Sequence, residues 1–521
     1  MLCVLTLNFT PVYDDSRDHS RHAHGQRLRA RSRMLLAKCL CYMCAIPARS
    51  LSVYMLSRPG EVVGIDLGTT SSAVAVVLGG EPEMVPDEAG RTTMPSLVDI
   101  ELGLTGHMAV GTSAVGSTKR LIGRSYADVK ESAAVRALFG KALAPAEDGS
   151  AVVGACSPVA AASALLERLL DVSEAACGVR ASKAVLTVPA HFTEPQRAAM
   201  RLAAERAGLA KCRLLEEPVA AALAYGVRLK DEDELVMVFD LGGGTLDVSL
   251  LRVGRGTAEV LSSAGEPWLG GDDFDLAIAK HISSVHVLVE QVGGGLARRV
   301  DERSPLVRQL ARLLKERCTV VKVAEEPLPM GLSFGETGAS EGGREGGEAV
   351  ATPTHVSLSR AALEAACADL LGAMRRPVIE ACTQAQVALP GAARGAASRA
   401  STTSLAGKLA RAPSLRGLRI NTVLRVGAAS RMPAVGRLLE ALVGVPCPIG
   451  ELPPEHAVAL GAAVQAGVLE GSIEQLDVFN PLEAALIRGI GSGAGQRTQR
   501  ERTGVPSGSR KNGRKQRRSS L

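Results

Sequence analysis

The chain has 521 residues, of which 46% are hydrophobic and 22% charged, enough apolar material for more than one core. Aromatic residues make up only 2%, so the cores must be built from Ala, Val and Leu, and a base-stacking nucleic-acid platform is disfavoured. The net charge of +6 is unevenly spread: residues 1–60 carry +6, 389–419 carry +6 and 497–521 carry +8, which leaves −14 on the rest, so the basic balance is poor evidence for a nucleic-acid-binding body.

No apolar run reaches the roughly 20 residues a membrane-spanning helix needs. The eleven cysteines are scattered. Cys39, Cys41 and Cys44 form a cluster without a matching pair of zinc ligands, and nothing demands an oxidising compartment.

Residues 1–60 read as an N-terminal extension, rich in Arg and His between Arg17 and Arg33. They suit either an organellar targeting segment or a mis-assigned extension with Met55 as the natural start. A first lobe follows over 61–235. Val62–Val77 reads as strand, glycine turn and strand, with Asp66 at the end of the first strand and Gly68, Thr69, Thr70 and Ser71 in the turn. Glu88–Ser96 is turn-rich, and Gly116–Arg124 presents a basic run between glycines. A helix is expected over Pro158–Ala176, a buried strand over Ala184–Pro189, a helix over Thr193–Gly208 and a short strand over Cys212–Leu215. Glu216-Glu217-Pro218 then opens an alanine-rich helix to Tyr225 and Gly226.

The second lobe is expected over 236–490. Val236–Leu250 repeats the device: an apolar strand ending in Asp240, a turn of Gly242, Gly243, Gly244 and Thr245, then Asp247 and a second strand. Leu269–Asp275 leads into a helix with an Asp suited to its N-cap. Residues 331–352 and 389–418 read as flexible insertions, and Leu358–Gln386 as one long amphipathic helix. Thr422–Gly427 is a strand and glycine turn, followed by helices over Met432–Val443 and His456–Leu469. Residues 491–521 read as a solvated basic tail. The order of elements gives an α/β class.

Asp66 and Asp240 stand 174 positions apart at equivalent points of the two hairpins, which suggests a duplicated domain. Glycine-rich turns expose successive N–H groups to an anion, and the flanking carboxylates imply a bridging cation, most plausibly Mg²⁺. A glycine hairpin with no phosphate chemistry is the plain alternative for either copy alone.

Read together, Gly64–Thr70, Lys119–Gly123, Val188–Phe192, Glu217-Pro218, Ala224–Gly226, Asp240–Thr245 and Leu269–Asp275 occur in an order that resembles the nucleotide-binding domain of the heat-shock protein 70 (DnaK-type) chaperones. The resemblance covers roughly residues 61–480. It implies an actin-like ATPase fold, two lobes each with an RNase-H-like core around a nucleotide cleft, binding ATP/ADP with Mg²⁺. Thr69, Thr70 and Ser71 with Gly68 would hold the β- and γ-phosphates from one side, and Gly242, Gly243, Gly244 and Thr245 from the other. Asp66 and Asp240 would orient Mg²⁺ through its waters. Glu217 and Asp247 would order the water network, and Lys119 would position the attacking water, the bland reading of Lys119 being a solvated member of a basic run. Pro189 and Arg197 match positions that relay nucleotide state between the lobes.

The adenosine side departs from the family. The best alignment places Leu314, Arg317, Cys318 and Val321 on the helix that clamps ribose and base, which leaves Arg317 alone conserved in kind; Gly427, Ala428 and Arg431 stand at the later loop. Losing about three neutral hydrogen bonds of about 1 kcal/mol each implies nucleotide binding weakened roughly hundredfold and less selective for adenine. Leu476–Leu482 resembles the approach to the family's interdomain linker, and no peptide-binding domain is expected after it. The resemblance implies an ATPase module in protein folding or quality control, with a J-domain co-chaperone, a nucleotide exchange factor, and a client or separate substrate-binding chain as partners; membrane and nucleic-acid partners are not expected. A nucleotide-responsive interaction protein without turnover, and a sugar or metabolite kinase of the same superfold, are the alternatives. The expected compartment is cytoplasmic, or mitochondrion or plastid if 1–60 is a transit segment.

Overall fold

A computed structural model describes residues 60–226, 233–254, 257–292, 296–330, 332–334, 354–391 and 419–473. The expectations for 1–59, 335–353, 392–418 and 474–521 lie outside these residues. Two sheets organise the described chain. The first contains β1 (Val62–Leu67), β2 (Ser71–Leu78), β3 (Glu81–Met84), the short β4 (Met94–Pro95), β5 (Lys183–Val188) and β6 (Lys211–Glu216). Its order is β6-β5-β1-β2-β3, with β4 on β2. The second contains β7 (Glu234–Leu241), β8 (Leu246–Gly254), β9 (Thr257–Glu266) and β10 (Thr422–Val426), in the order β9-β8-β7-β10.

The helices used below are α1 (Pro158–Cys177), α2 (Glu194–Arg206), α3 (Glu217–Ala224), α4 (Gly271–Val285), α5 (Pro305–Val320), α6 (Arg375–Gln384), α7 (Pro433–Val443) and α8 (Ala457–Glu470). Several begin with the expected signals. Ser157 accepts from the N–H of Ala160 ahead of Pro158 at the start of α1, and Thr193 with Gln196 forms a capping box on α2.

The sheets repeat one pattern. β1 pairs antiparallel with β2 and parallel with β5; β7 pairs antiparallel with β8 and parallel with β10. In each, the central strand ends at an aspartate and turns through glycine into its antiparallel neighbour. Side chains alternate across both sheets as a period of two requires. Val63, Ile65 and Leu67 of β1 join a core with α1 and α2. Leu235, Met237, Phe239 and Leu241 of β7 join another with α4, α5 and α6.

The opposite faces, through Val62 and Val185 of the first sheet and Val236 and Val238 of the second, share a third core with α3 and α8. These two helices therefore lie between the sheets. They are rich in Ala and Gly because the backbones must come close: a Cβ on Gly461 would meet the Ala220 carbonyl oxygen at 1.7 Å, and one on Gly64 would meet Ala463 N at 2.1 Å. The boundary expected at 236 assigns α8 to the second lobe, yet it packs on β1, β2 and α3.

Four local readings differ. Leu358 belongs to a strand, His355–Ser359, and the long helix expected after it is three consecutive segments, Arg360–Ala366, Ala368–Ala373 and α6. The first is capped by Ser359, which takes the Ala362 N–H. The N-cap of α4 is Gly270, not an aspartate; Asp273 reaches back to accept the Gly270 N–H at 2.8 Å. The start of the expected 331–352 insertion contains a strand, Leu332–Phe334, paired with Leu288–Val292.

Candidate functional site: two opposed glycine turns

The β1–β2 turn and the β7–β8 turn meet across the space between the sheets. A Cβ on Gly243 would sit 2.6 Å from Thr70 Cβ and 2.7 Å from Thr70 Oγ1. Close approach of the opposite turn, not backbone sign, sets glycine at Gly243: none of Gly242, Gly243 and Gly244 has a left-handed backbone. Gly244 carries the same constraint toward Arg120, whose Nη2 donates to the Gly244 carbonyl oxygen at 2.7 Å.

Each turn is braced from behind. Ser96 Oγ donates to the Gly68 carbonyl at 2.8 Å, its N–H bonds the Thr70 carbonyl, and Ser71 Oγ bonds the Met94 carbonyl. In the second turn the Gly242 N–H bonds the Thr245 carbonyl, while the N–H groups of Gly271 and Asp272 donate to the carbonyls of Gly242 and Gly243. The start of α4 thus spends donors it could not use within the helix on holding the turn's carbonyls away from the cleft. Thr70 Oγ1 is buried without a hydrogen-bond partner, and a buried hydroxyl left so costs free energy unless a ligand satisfies it.

Below the turns lie the carboxylates. Asp66 accepts from Thr187 Oγ1 at 3.3 Å. Its pKa is pushed up to about 7 by burial and by the charge of Glu217, with Lys119 and the Thr187 hydroxyl opposing. Asp240 stands well above the usual carboxylate range, through burial and then the charges of Glu217, Asp247 and Asp66. Asp240 and Asp247 are register partners on β7 and β8, and Pro189, Ala190, Glu217, Ser249 and Ser263 line the recess beside them. Lys119, from the turn Thr118–Arg120, ion-pairs with Glu217 at 2.7 Å and is buried. Lys119 is therefore no solvated member of a basic run.

Arg197 donates to Glu216 Oε1 at 2.9 Å and to the carbonyls of Ala190 and Phe192. It fastens the Pro189–Phe192 turn to the end of β6, one residue before Glu217. Burial raises the pKa of Glu216 against the pull of Arg197.

The later loop closes the floor. Gly427, at the end of β10, has φ +78°, and a Cβ there would lie 2.9 Å from Asp240 Oδ1 and 2.3 Å from the Leu241 carbonyl. Ala428–Arg431 forms a short 3₁₀ turn, and Arg431 makes a two-pronged pair with Glu455 at 2.8 and 3.0 Å. Arg317 does not join this group. It lies on the exposed side of α5 and pairs with Glu326 at 2.9 Å. Leu314 and Cys318 are buried in the core of the second sheet. The residue of α5 that faces the loop is Lys315, with Nζ 2.6 Å from Asp275, 2.9 Å from the Gly271 carbonyl, and beside the same glycine that Ala429 touches. The apolar spacing Val307, Leu310, Ala311, Leu314, Cys318 fixes the buried face of α5, and Arg317 falls off it.

Three residues in or beside the quoted motifs received no role from sequence: Arg120, which also stacks 4.3 Å over the Trp268 ring; His191, whose Nδ1 is 3.3 Å from Asp247; and Thr187. Each is defined by a contact with a distant segment, which spacing alone does not reveal.

The chemistry of the donor set fits a phosphate ester with Mg²⁺. The carboxylates and hydroxyls are hard oxygen donors. Among the described residues no three His, Cys, Asp or Glu side chains form a group that could hold a metal ion by themselves.

With this geometry in hand the comparisons are specific. The family model described as Hsp70 protein matches residues 62–390 and 402–506. The chain belongs to the Hsp70 family. It is 32% identical over 447 residues to the chaperone protein DnaK 3 of Synechococcus sp., covering 82% of this chain and 61% of that protein. It is 37% identical over 432 residues to the chaperone protein DnaK of Deinococcus radiodurans, covering 80% and 61%. It is 34% identical over 447 residues to the chloroplastic stromal 70 kDa heat shock-related protein of Pisum sativum, covering 82% and 56%. The chain thus spans about three fifths of the length of these relatives. No helix among the described residues is long and apolar enough to cross a membrane.

Proposed function

We propose that this chain carries a Mg²⁺-dependent ATPase site, ATP going to ADP and phosphate, on an actin-like fold whose two lobes are the two duplicated sheets, and that it acts in protein folding or quality control. One observation carries the proposal: two glycine turns face each other over two half-buried aspartates, with the Thr70 hydroxyl buried between the turns and unpartnered.

The chain's residues divide the work. Backbone N–H groups of Gly68–Ser71 and Gly243–Thr245, with the hydroxyls of Thr69, Thr70 and Thr245, hold the β- and γ-phosphates from two sides, and Gly242 closes the second turn through its N–H on the Thr245 carbonyl. Asp66 and Asp240 would hold Mg²⁺, which supplies charge neutralisation on the phosphate oxygens when bound. Lys119, fixed by its pair with Glu217, places its side-chain nitrogen beside the γ-phosphate and orients a water. Asp247 and Glu217 accept hydrogen bonds from surrounding water. That water attacks the γ-phosphorus and the bond to the bridging oxygen of ADP breaks. Gly427, Ala428 and Arg431 form the nucleoside side of the cleft. Arg197 and Pro189 connect the Glu217 end of the site to α2, a route by which nucleotide state reaches the outer surface.

A J-domain co-chaperone, a nucleotide exchange factor and an extended client are the partners this reading implies. The cytoplasm is the expected compartment, or mitochondrion or plastid if 1–60 directs import. Steady-state phosphate release by the full chain, with and without a J-domain protein, tests the reading. Turnover that Lys119→Ala abolishes, in a variant that still melts cooperatively, supports it; unaltered turnover in that variant overturns the assigned mechanism. Stimulation by the J-domain protein separates an ATPase chaperone from a binding-only relative, and phosphate appearing on a small acceptor instead of water points to a kinase.

A further inference from the structure

The cleft holds a histidine that the proposed mechanism leaves unused. His191 sits in the turn after β5, on the first sheet, and its Nδ1 lies 3.3 Å from Asp247 Oδ1 on β8 of the second. Its ring packs edge-on against Phe192, whose face takes the Lys119 ammonium at 5.8 Å. The turn is not free to drift, because Arg197 bonds the carbonyls of Ala190 and Phe192 on either side of His191. The half-exposed imidazole is thus held toward Asp247, a carboxylate whose neighbours include Asp240 and the guanidinium of Arg120.

We propose that His191 is a positioning residue for phosphoryl transfer: its imidazolium bridges the two sheets and holds Asp247 in the orientation from which that carboxylate orders water. The inference rests on the function proposed above. The groups facing His191 are Asp247 on β8, Glu217 at the start of α3 and Lys119 on the turn Thr118–Arg120. Burial opposes a charge on the ring. The hydrogen bond to Asp247, then the charges of Asp247 and Glu217, outweigh burial and the repulsion from Lys119, so the pKa stands above the ordinary 6.5. A raised histidine pKa means the bridge is complete below about 6.5 and is lost as pH rises through the folded-state value. Turnover should therefore carry a descending limb above pH 6.5, and the limb should belong to kcat, since the bridge orients water and does not grip substrate.

The test uses the full chain. His191→Phe keeps an aromatic ring but removes the donor, and His191→Gln supplies a donor that does not titrate. At pH 6.5 His191→Phe should lower kcat about five-fold with KM little changed. His191→Gln should recover part of that loss, and both variants should lack the alkaline limb. A limb retained in both, or a His191→Phe profile superimposed on the parent, overturns the proposal. A second readout is independent of turnover. The His191 ring proton resonance, assigned by its loss in His191→Gln, is titrated in the parent and in Asp247→Asn. Its pKa should fall in Asp247→Asn; an unchanged value overturns the bridge. If the chain binds nucleotide but releases no phosphate, the hydrolytic function fails and with it the positioning role, whereas the titration still decides whether the cross-sheet bridge exists.

Discussion

Thr70 and Gly243 touch across the cleft, so closely that a Cβ on Gly243 would lie 2.6 Å from that of Thr70. Glycine is required there by its neighbour on the other sheet. Gly243→Ala should force the turns apart, costing about 1–3 kcal/mol in stability and a larger share in nucleotide affinity, since both turns proposed to hold phosphate are displaced. Thr70→Gly combined with Gly243→Ala should restore part of the stability. Melting curves of the two single variants and the double variant measure that coupling; strict additivity would contradict the contact.

Lys119 and Glu217 form a pair buried at both ends, with side-chain exposures of 8% and 13%. Removing one partner leaves an uncompensated charge, so Lys119→Met should destabilise by about 3–5 kcal/mol and Lys119→Met with Glu217→Gln by less. Denaturant unfolding of the three proteins checks the order. A single variant as stable as the parent would mean the pair is open to water.

The carboxylate pair predicts an unusual pH response. Asp66 has an unfolded value near 3.8 and a folded value of about 7. Between these the native state binds more protons than the unfolded one, so this group makes the nucleotide-free protein lose stability as pH rises through that window. Asp240 acts in the same direction. Asp66→Asn should therefore raise the melting temperature of the nucleotide-free protein at pH 7.5, flatten this part of the pH dependence, and lack the stabilisation that the proposed site predicts for the parent with Mg²⁺ and ADP. Calorimetric melts from pH 5 to 8 test all three.

Arg317 and Arg431 should separate. Arg431, held by Glu455 next to Gly427, borders the proposed nucleoside side, and Arg431→Ala should weaken ADP binding about ten-fold. Arg317→Ala, on the far side of α5, should change it less than about two-fold. Isothermal titration with ADP distinguishes them, and equal losses would place Arg317 in the cleft.

Much of this was readable before any coordinates. Asp66 and Asp240 were found because a strand ending in Asp-Leu-Gly is a local pattern, and the two copies fix each other. The bracing of those turns was not readable, because it comes from Ser96, Gly271 and Asp272, whose donors and acceptors say nothing about their destination. The helix α8 shows the limit plainly. Ala457–Glu470 is apolar on every side, which announces burial between layers but not which layers. Its place on the first sheet follows from the close approaches at Gly64 and Gly461. The misplacement of Arg317 was avoidable. A family alignment slid along α5 ignores helical phase, whereas the buried series from Val307 to Cys318 orients the helix and turns Lys315, not Arg317, toward Gly271. The aspartate expected as the N-cap of α4 failed for a different reason: Gly270 must fit against the backbone of Gly244, where a Cβ would lie 2.5 Å away, so the carboxylate acts from Asp273 instead.

The central claim is that Asp66 and Asp240, under two opposed turns, support Mg²⁺-dependent hydrolysis of ATP. Asp66→Asn isolates it, because the substitution should leave the nucleotide-free protein at least as stable as the parent. The decisive measurement is phosphate release from ATP by the full chain and by Asp66→Asn, each with Mg²⁺ and with chelator. The account predicts release by the parent only with Mg²⁺, and release at least about a hundred-fold slower from a fully folded Asp66→Asn. Equal release from both proteins, or release by the parent that survives the chelator, would contradict it.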